Sequence, residues 1–154
     1  MSISNIRVKV NKKYQGIYKE LTSETSVHHK IFEQHGDLFT LCVCIGYKNN
    51  KSNEFKGMDL FWSHSLNKYQ ETVIKTIALK SSDNYEIIHD NDAIIDIVEG
   101  YADGGMEILL EEVFKEYVLE KDNGELMLEF SNVNQLEKDI AMYVHGELMR
   151  DPFE

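Results

Sequence analysis

Apolar and charged residues alternate strictly near the start of the chain. Ile6, Val8 and Val10 share one side and Arg7 and Lys9 the other, a period of two that predicts a short strand. Asn11 then caps a predicted helix over 12–22, with Tyr14, Ile17, Tyr18 and Leu21 at helical spacing and Gly16 weakening it modestly. Residues 26–35 show no decisive period, and His35-Gly36 reads as a break. Asp37 is the expected cap of an apolar helix from Leu38 to Ile45, buried because it is apolar on all sides, which the segment Gly46 to Asn50 should end. Residues 51–57 read as an exposed loop, and Met58 to Ser63 is apolar but too short to assign.

The second half is more periodic. Asn67 with Gln70 forms a capping-box pattern ahead of a helix over 68–80, whose core stripe is Val73, Ile74, Ile77 and Ala78. Asp90 or Asp92 starts another, with Ile94, Ile95, Val98 and Ala102 inward. Gly104-Gly105 should kink or interrupt it before Met106, Leu109, Leu110, Val113, Phe114 and Tyr117 continue the stripe. Asp122-Asn123-Gly124 signals a hairpin pairing Leu119 with Leu128 and Tyr117 with Phe130, in competition with a helix that ends at the turn. Asn134, with Glu137, caps a last helix carrying Leu136, Ile140, Tyr143, Val144 and Leu148, and Pro152 stops it. The expected fold is therefore mainly α: about five helices, a short N-terminal strand and a small C-terminal β-hairpin. With no linker composition and no repeat, residues 1–154 read as a single domain.

Composition narrows the class. Apolar residues at 42% and charged residues at 28% are globular values. No apolar run has the length of a signal peptide or a membrane span, so a soluble cytoplasmic protein without membrane contact is expected. Cys42 and Cys44 lie too close for a relaxed disulfide, and no second Cys or His pair matches their spacing, so they read as buried free thiols.

Charge changes the picture most. The net charge of −11 divides into +4 over residues 1–77 and −15 over 78–154. An acidic half repels phosphate backbones and suits a basic protein partner, or simply a solvated surface.

Three groups of residues could carry chemistry. Asp92, Asp96, Glu99 and Asp103 fall on one face of a helix, where carboxylates can share a divalent cation as a metal-dependent nuclease would require. The same stripe is what a solvated helix face looks like. Arg7, Lys9, Lys12 and Lys13 cluster at the N-terminal strand. In a ribbon-helix-helix regulator such a strand pairs with its copy and reads the major groove. His28, His29 and His35 lie near Glu33 and Asp37, and helical spacing would bring His29 to Glu33. No nucleophile motif, zinc-protease motif or phosphate-binding glycine loop accompanies them, so no catalytic residue is assigned and no cofactor is expected.

Two stretches, DLFTLCVCIGYKNN over 37–50 and IVEGYADGGMEIL over 97–109, resemble the small proteins encoded beside bacterial DNA phosphorothioation systems, the dnd system-associated protein 4 family. The resemblance implies an accessory role in antiviral or anti-foreign-DNA defence beside larger protein components, and offers no catalytic residues. Within its motifs Gly46, Gly104 and Gly105 are expected to supply positive φ at helix ends. The leading expectation is a non-enzymatic adaptor working through protein contacts of its acidic half, of undetermined oligomeric state. A DNA-binding regulator using the N-terminal strand, or a metal-dependent nuclease using the acidic stripe, are the alternatives.

Overall fold

A computed structural model describes residues 5–24 and 29–149. Strand β1 (Arg7–Asn11) leads through one 3-10 turn, Lys12–Tyr14, into α1 (Gln15–Leu21). Next come α2 (His35–Lys48), β2 (Gly57–Trp62), α3 (Lys68–Ser82) and α4 (Asn91–Glu112). A hairpin of β3 (Val118–Glu120) and β4 (Leu126–Leu128) and a last helix, α5 (Val133–Met149), complete the described chain. This is the mainly α fold expected, with five α-helices and two small antiparallel sheets among the described residues. No helix of the described residues is long and apolar enough to cross a membrane.

The apolar stripes point where their spacing says they should. Tyr14, Ile17, Tyr18 and Leu21, then Ile74, Ile77 and Ala78, are all buried. So are Ile94, Ile95, Val98, Ala102, Met106, Leu109, Phe114, Leu136 and Ile140, and all of these join one hydrophobic cluster. Val8 and Val10 turn inward from β1. The Asn67–Gln70 capping box forms as read, each side-chain oxygen accepting from the other residue's backbone N–H at the start of α3.

Several expectations need correction. His35-Gly36 does not break the chain but begins α2, and Asp37 is the third residue of that helix, closing a reciprocal box with Gln34. Residues 29–34 form no helix, so His29 does not meet Glu33; its Nε2 lies 2.8 Å from Glu137 on α5. Met58 to Trp62, unassigned from sequence, is β2, and it pairs with β1 with a bulge between Val8 and Lys9. The end of α2 falls at Lys48, within the expected Gly46–Asn50 segment, but the left-handed residue there is Asn50 at φ 52° and not Gly46. Gly104-Gly105 neither kinks nor interrupts α4.

At the C-terminal side the hairpin is present, but Val118 pairs with Leu128 and Leu119 with Met127. The loop holds three residues rather than two, because Gly124 at φ 85° donates to the Lys121 carbonyl and Lys121 to that of Glu125. The cap of α5 is Asn132, whose Oδ1 accepts from Gln135 N at 3.2 Å, and not Asn134. His28, Pro152 and the Leu148 side chain lie outside the described residues.

Candidate functional site

The two sequence stretches that carry the family resemblance meet in one place. Cys42 lies against Gly105 and Gly46 against Tyr101, so α2 and α4 cross antiparallel with main chain against main chain. A Cβ on Gly105 would run into the Cys42 carbonyl, and one on Gly46 into the Tyr101 carbonyl. These glycines serve close approach and not positive φ, which among the described glycines only Gly124 adopts. Gly100 and Gly104, one turn apart on a neighbouring face of α4, admit the strap of residues 51–53: a Cβ on Gly104 would meet the Lys51 carbonyl and one on Gly100 the Ser52 hydroxyl. Asn53 N donates to the Gly100 carbonyl at 3.1 Å and Lys51 N to that of Gly46 at 2.8 Å, which ties the strap to both helices. Tyr47 and Tyr101 close the junction edge to face, centroids 5.5 Å apart.

The acidic stripe of α4 is divided by this architecture. Asp92 and Asp96 are exposed. Glu99 is half-buried and its Oε2 accepts from the Lys9 backbone N–H at 2.6 Å, pinning β1 to α4. Asp103 is buried and accepts from Asn53 Nδ2 at 3.0 Å. The same amide donates to Glu107 at 3.1 Å, and Lys51 Nζ reaches Glu107 at 2.9 Å. Burial raises the Asp103 carboxyl, opposed by the amides of Asn53 and Asn11, while the Lys51 contact lowers that of Glu107. Among the described residues no group of three or more His, Cys, Asp or Glu side chains converges to hold a metal ion. Asn53 lacks any periodic or motif signal that would single it out, whereas Glu107 stands one turn beyond Asp103 and extends the same acidic stripe.

Glu99 is the most perturbed carboxyl. Burial raises it to about 7, against the Lys9 amide that favours its charge and with Asp96 and Asp59 adding repulsion. The folded state therefore holds the proton more tightly than the unfolded chain. Stability falls as pH rises from the unfolded value near 4.5 through 7, and the whole penalty is present above 7. A shift of that size corresponds to at most about 3 kcal/mol, and partial exposure reduces it to about 1–2 kcal/mol. Glu99→Gln, which keeps an acceptor for Lys9, is expected to stabilise the protein by about that amount at pH 8 and by nothing at pH 4. Urea melts across pH check this. An unchanged slope between pH 5 and 7 would show that Glu99 titrates normally.

The N-terminal cations are placed as follows. Arg7 stacks over Trp62, 4.9 Å from the ring centroid, and its Nε lies 3.7 Å from Asp59. Lys9, Lys12 and Lys13 are exposed, with Lys13 Nζ 5.0 Å from the centroid of the Tyr14 ring. Lys56, not singled out by the sequence, joins them: Lys9 and Lys56 line a groove of about 860 Å³ on one side of Phe55, and Lys12, Lys13 and Lys56 one of about 630 Å³ on the other. β1 already pairs with β2, and the Lys9 amide is taken by Glu99, so the strand that a ribbon dimer would share between two chains is engaged within one.

Burial disfavours the thiolate at both cysteines. Burial pushes Cys42 up to about 12, although the Tyr18 hydroxyl beside it favours the thiolate, and burial also raises Cys44.

The acidic half gathers at the far end of α4. Between Glu111 and Asp139, nine carboxylates face three lysines. Glu111 and Glu112 sit in the last turn of α4, which carries no basic residue, and so add to the negative pole of the helix. Past the turn, Tyr117 donates to Asp139 on α5 at 2.7 Å, which lifts the phenol to about 12 and lowers the carboxyl. That bond closes one side of a groove of about 490 Å³, with Glu111, Glu112, Glu116 and Asp139 around Val113, Met142 and Tyr143. The sequence shows the acidity of this half but not the groove, because its two walls lie more than 20 residues apart in the chain.

Comparison with known proteins adds the setting. The family model of DNA sulphur modification system-associated protein 4 matches residues 7–143, which include the glycine junction, the strap and the acidic groove. No curated protein and no solved structure matches the chain.

Proposed function

Because the chain belongs to the DNA sulphur modification system-associated protein 4 family, we propose that it is a non-enzymatic accessory protein of a bacterial DNA-modification and defence system. It works in the cytoplasm as an adaptor that holds a basic protein component of that system through its acidic half. The observation that supports this reading most is the concentration of unneutralised carboxylate at the end of α4 and on and beside the β3–β4 hairpin. There Glu112, Glu116, Glu120, Asp122 and Glu129 are exposed, and no ion pair among the described residues reaches them. Like charges gathered on a surface oppose folding and favour a partner of opposite charge.

The test is co-expression with each protein encoded by the modification system, followed by affinity capture. Glu112→Lys with Glu116→Lys is expected to abolish capture, while capture by wild type weakens as salt rises from 0.1 toward ~0.5 M, where the Debye length falls from about 10 Å to roughly half that. Capture that survives both changes would end the acidic-face reading.

The grouping of Lys9, Lys12, Lys13 and Lys56 around Phe55 favours a second reading, direct contact with DNA phosphates through the N-terminal half. Under the adaptor reading Arg7→Ala with Lys9→Ala changes little in duplex binding measured by anisotropy. Tight, competitor-resistant binding of operon DNA lost in that variant would make the protein a regulator instead.

A further inference from the structure

The geometry points to the groove between the end of α4 and α5 as the docking site of a basic amphipathic helix from a partner protein. This inference rests on the adaptor reading and names its contact.

Two observations define the occupant. The first is a second face on α5. Leu136 and Ile140 turn into the core, while Met142, Gly146 and Met149 lie on the nearly opposite side at i, i+4 and i+7. Met142 is 64% exposed and Met149 74%. A Cβ on Gly146 would meet nothing, so this position is a notch in the outer stripe. An exposed stripe of methionine and glycine at helical spacing is shaped for the ridge of another helix: the glycine lets it approach and the methionines adapt to its side chains. The second observation is the charge along this seam. Glu111, Glu112, Glu116 and Asp139 edge the groove that Met142 and Tyr143 floor, and Lys115 is its only lining cation. Two of these carboxylates stand in the last turn of α4, where the helix dipole disfavours them, and no lysine or arginine in that turn offsets them. The chain thus carries charge that weakens its own helix end at the place where an apolar seam is left open. A helix with a leucine-type face flanked by lysine or arginine satisfies both features; an acidic or purely polar segment satisfies neither.

The experiment uses the whole protein and a labelled amphipathic leucine–lysine peptide of about 18 residues, long enough to be helical. A scrambled peptide of the same composition is the control. Wild type is expected to bind the amphipathic peptide at least about tenfold more tightly than the scrambled one, the worth of burying roughly one large apolar side chain. Met142→Glu should remove that preference while the protein stays folded, its thermal midpoint slightly lowered because one more carboxylate joins the groove. Glu112→Gln with Glu116→Gln should weaken both peptides and raise the midpoint, because the end of α4 is relieved of charge. Equal binding of the two peptides, or a preference that survives Met142→Glu, would overturn the groove and leave the adaptor reading standing on general charge alone. Concentration-dependent dimerisation lost in Met142→Glu would also overturn it, since the occupant would then be a second copy. If the groove binds as described and no protein of the modification system is captured by wild type, the adaptor reading fails and the groove does not.

Discussion

Gly105→Ala is expected to leave the protein largely unfolded, or destabilised by more than about 3 kcal/mol, although the substitution adds one methyl group and raises helix propensity by about 1 kcal/mol. The reason is the partner at the contact. The added Cβ would meet the carbonyl of Cys42, a main-chain group in the middle of α2, and not the flexible end of a side chain. Relief requires the two helices to move apart. That would open contacts along the whole α2–α4 crossing, including the Tyr47–Tyr101 pair and the strap bonds of Asn53 and Lys51. Overpacking in a core that can adjust its rotamers costs about 1–3 kcal/mol, so a main-chain clash lies at or above that range. Gly16→Ala is the contrast, since Gly16 is exposed and its only close neighbour is the Leu126 carbonyl, at 3.1 Å from the added Cβ. It should cost far less. Denaturant melts of both variants check the prediction, and a loss under about 1 kcal/mol for Gly105→Ala would show that α2 and α4 can slide apart freely.

That junction also shows where sequence reading stops. The spacing of Ile94, Ile95, Val98, Ala102, Met106 and Leu109 marked one buried stripe on both sides of Gly104-Gly105, and the structure runs one helix through it. Glycine in a sequence states only that a Cβ is missing; whether the backbone needs positive φ or a neighbour needs the space depends on what crosses it. β2 was hidden for a different reason. Val8 pairs with Phe61 but Lys9 with Asp59, so Leu60 is the extra residue of a bulge, and the alternation that reveals β1 is lost on its partner. Asn134 reads as the cap of α5 because Glu137 follows at the third position, but Asn132, two residues earlier, accepts from Gln135 N, which only geometry reveals. The acidic stripe on α4 was legible as a stripe. What was not legible is that Glu99 serves the Lys9 amide and Asp103 serves Asn53, since those partners come from elements 90 and 50 positions away. The open face of α5 can be counted off the sequence at positions 142, 146 and 149. Its meaning emerges only when the opposite face is seen to be occupied.

Phe114→Ala should cost about 3–5 kcal/mol, the range for emptying a fully buried aromatic site, and its consequences should extend to the acidic groove. The ring is completely buried in the core cluster. Its main chain is also the node where α4 turns toward the hairpin: Phe114 N donates to the Leu109 carbonyl at 2.9 Å, while Tyr117 N and Val118 N donate to the Phe114 carbonyl at 2.8 and 3.0 Å. Emptying the ring site removes the anchor that sets the angle of this turn, and with it the position of Tyr117 against Asp139 and of Glu116 at the groove edge. Leu109→Ala, one turn earlier and equally buried, should cost about 2–5 kcal/mol but leave that node intact. Phe114→Leu should recover most of the loss, because a hydrophobic residue of similar size fills the space at less than about 1.5 kcal/mol. The informative measurement pairs denaturant melts with binding of the amphipathic peptide at a denaturant-free temperature where each variant is still folded. Phe114→Ala should then bind more weakly than Leu109→Ala even at equal folded fraction. A loss of stability under about 0.5 kcal/mol for Phe114→Ala would mean that the end of α4 is not anchored as described.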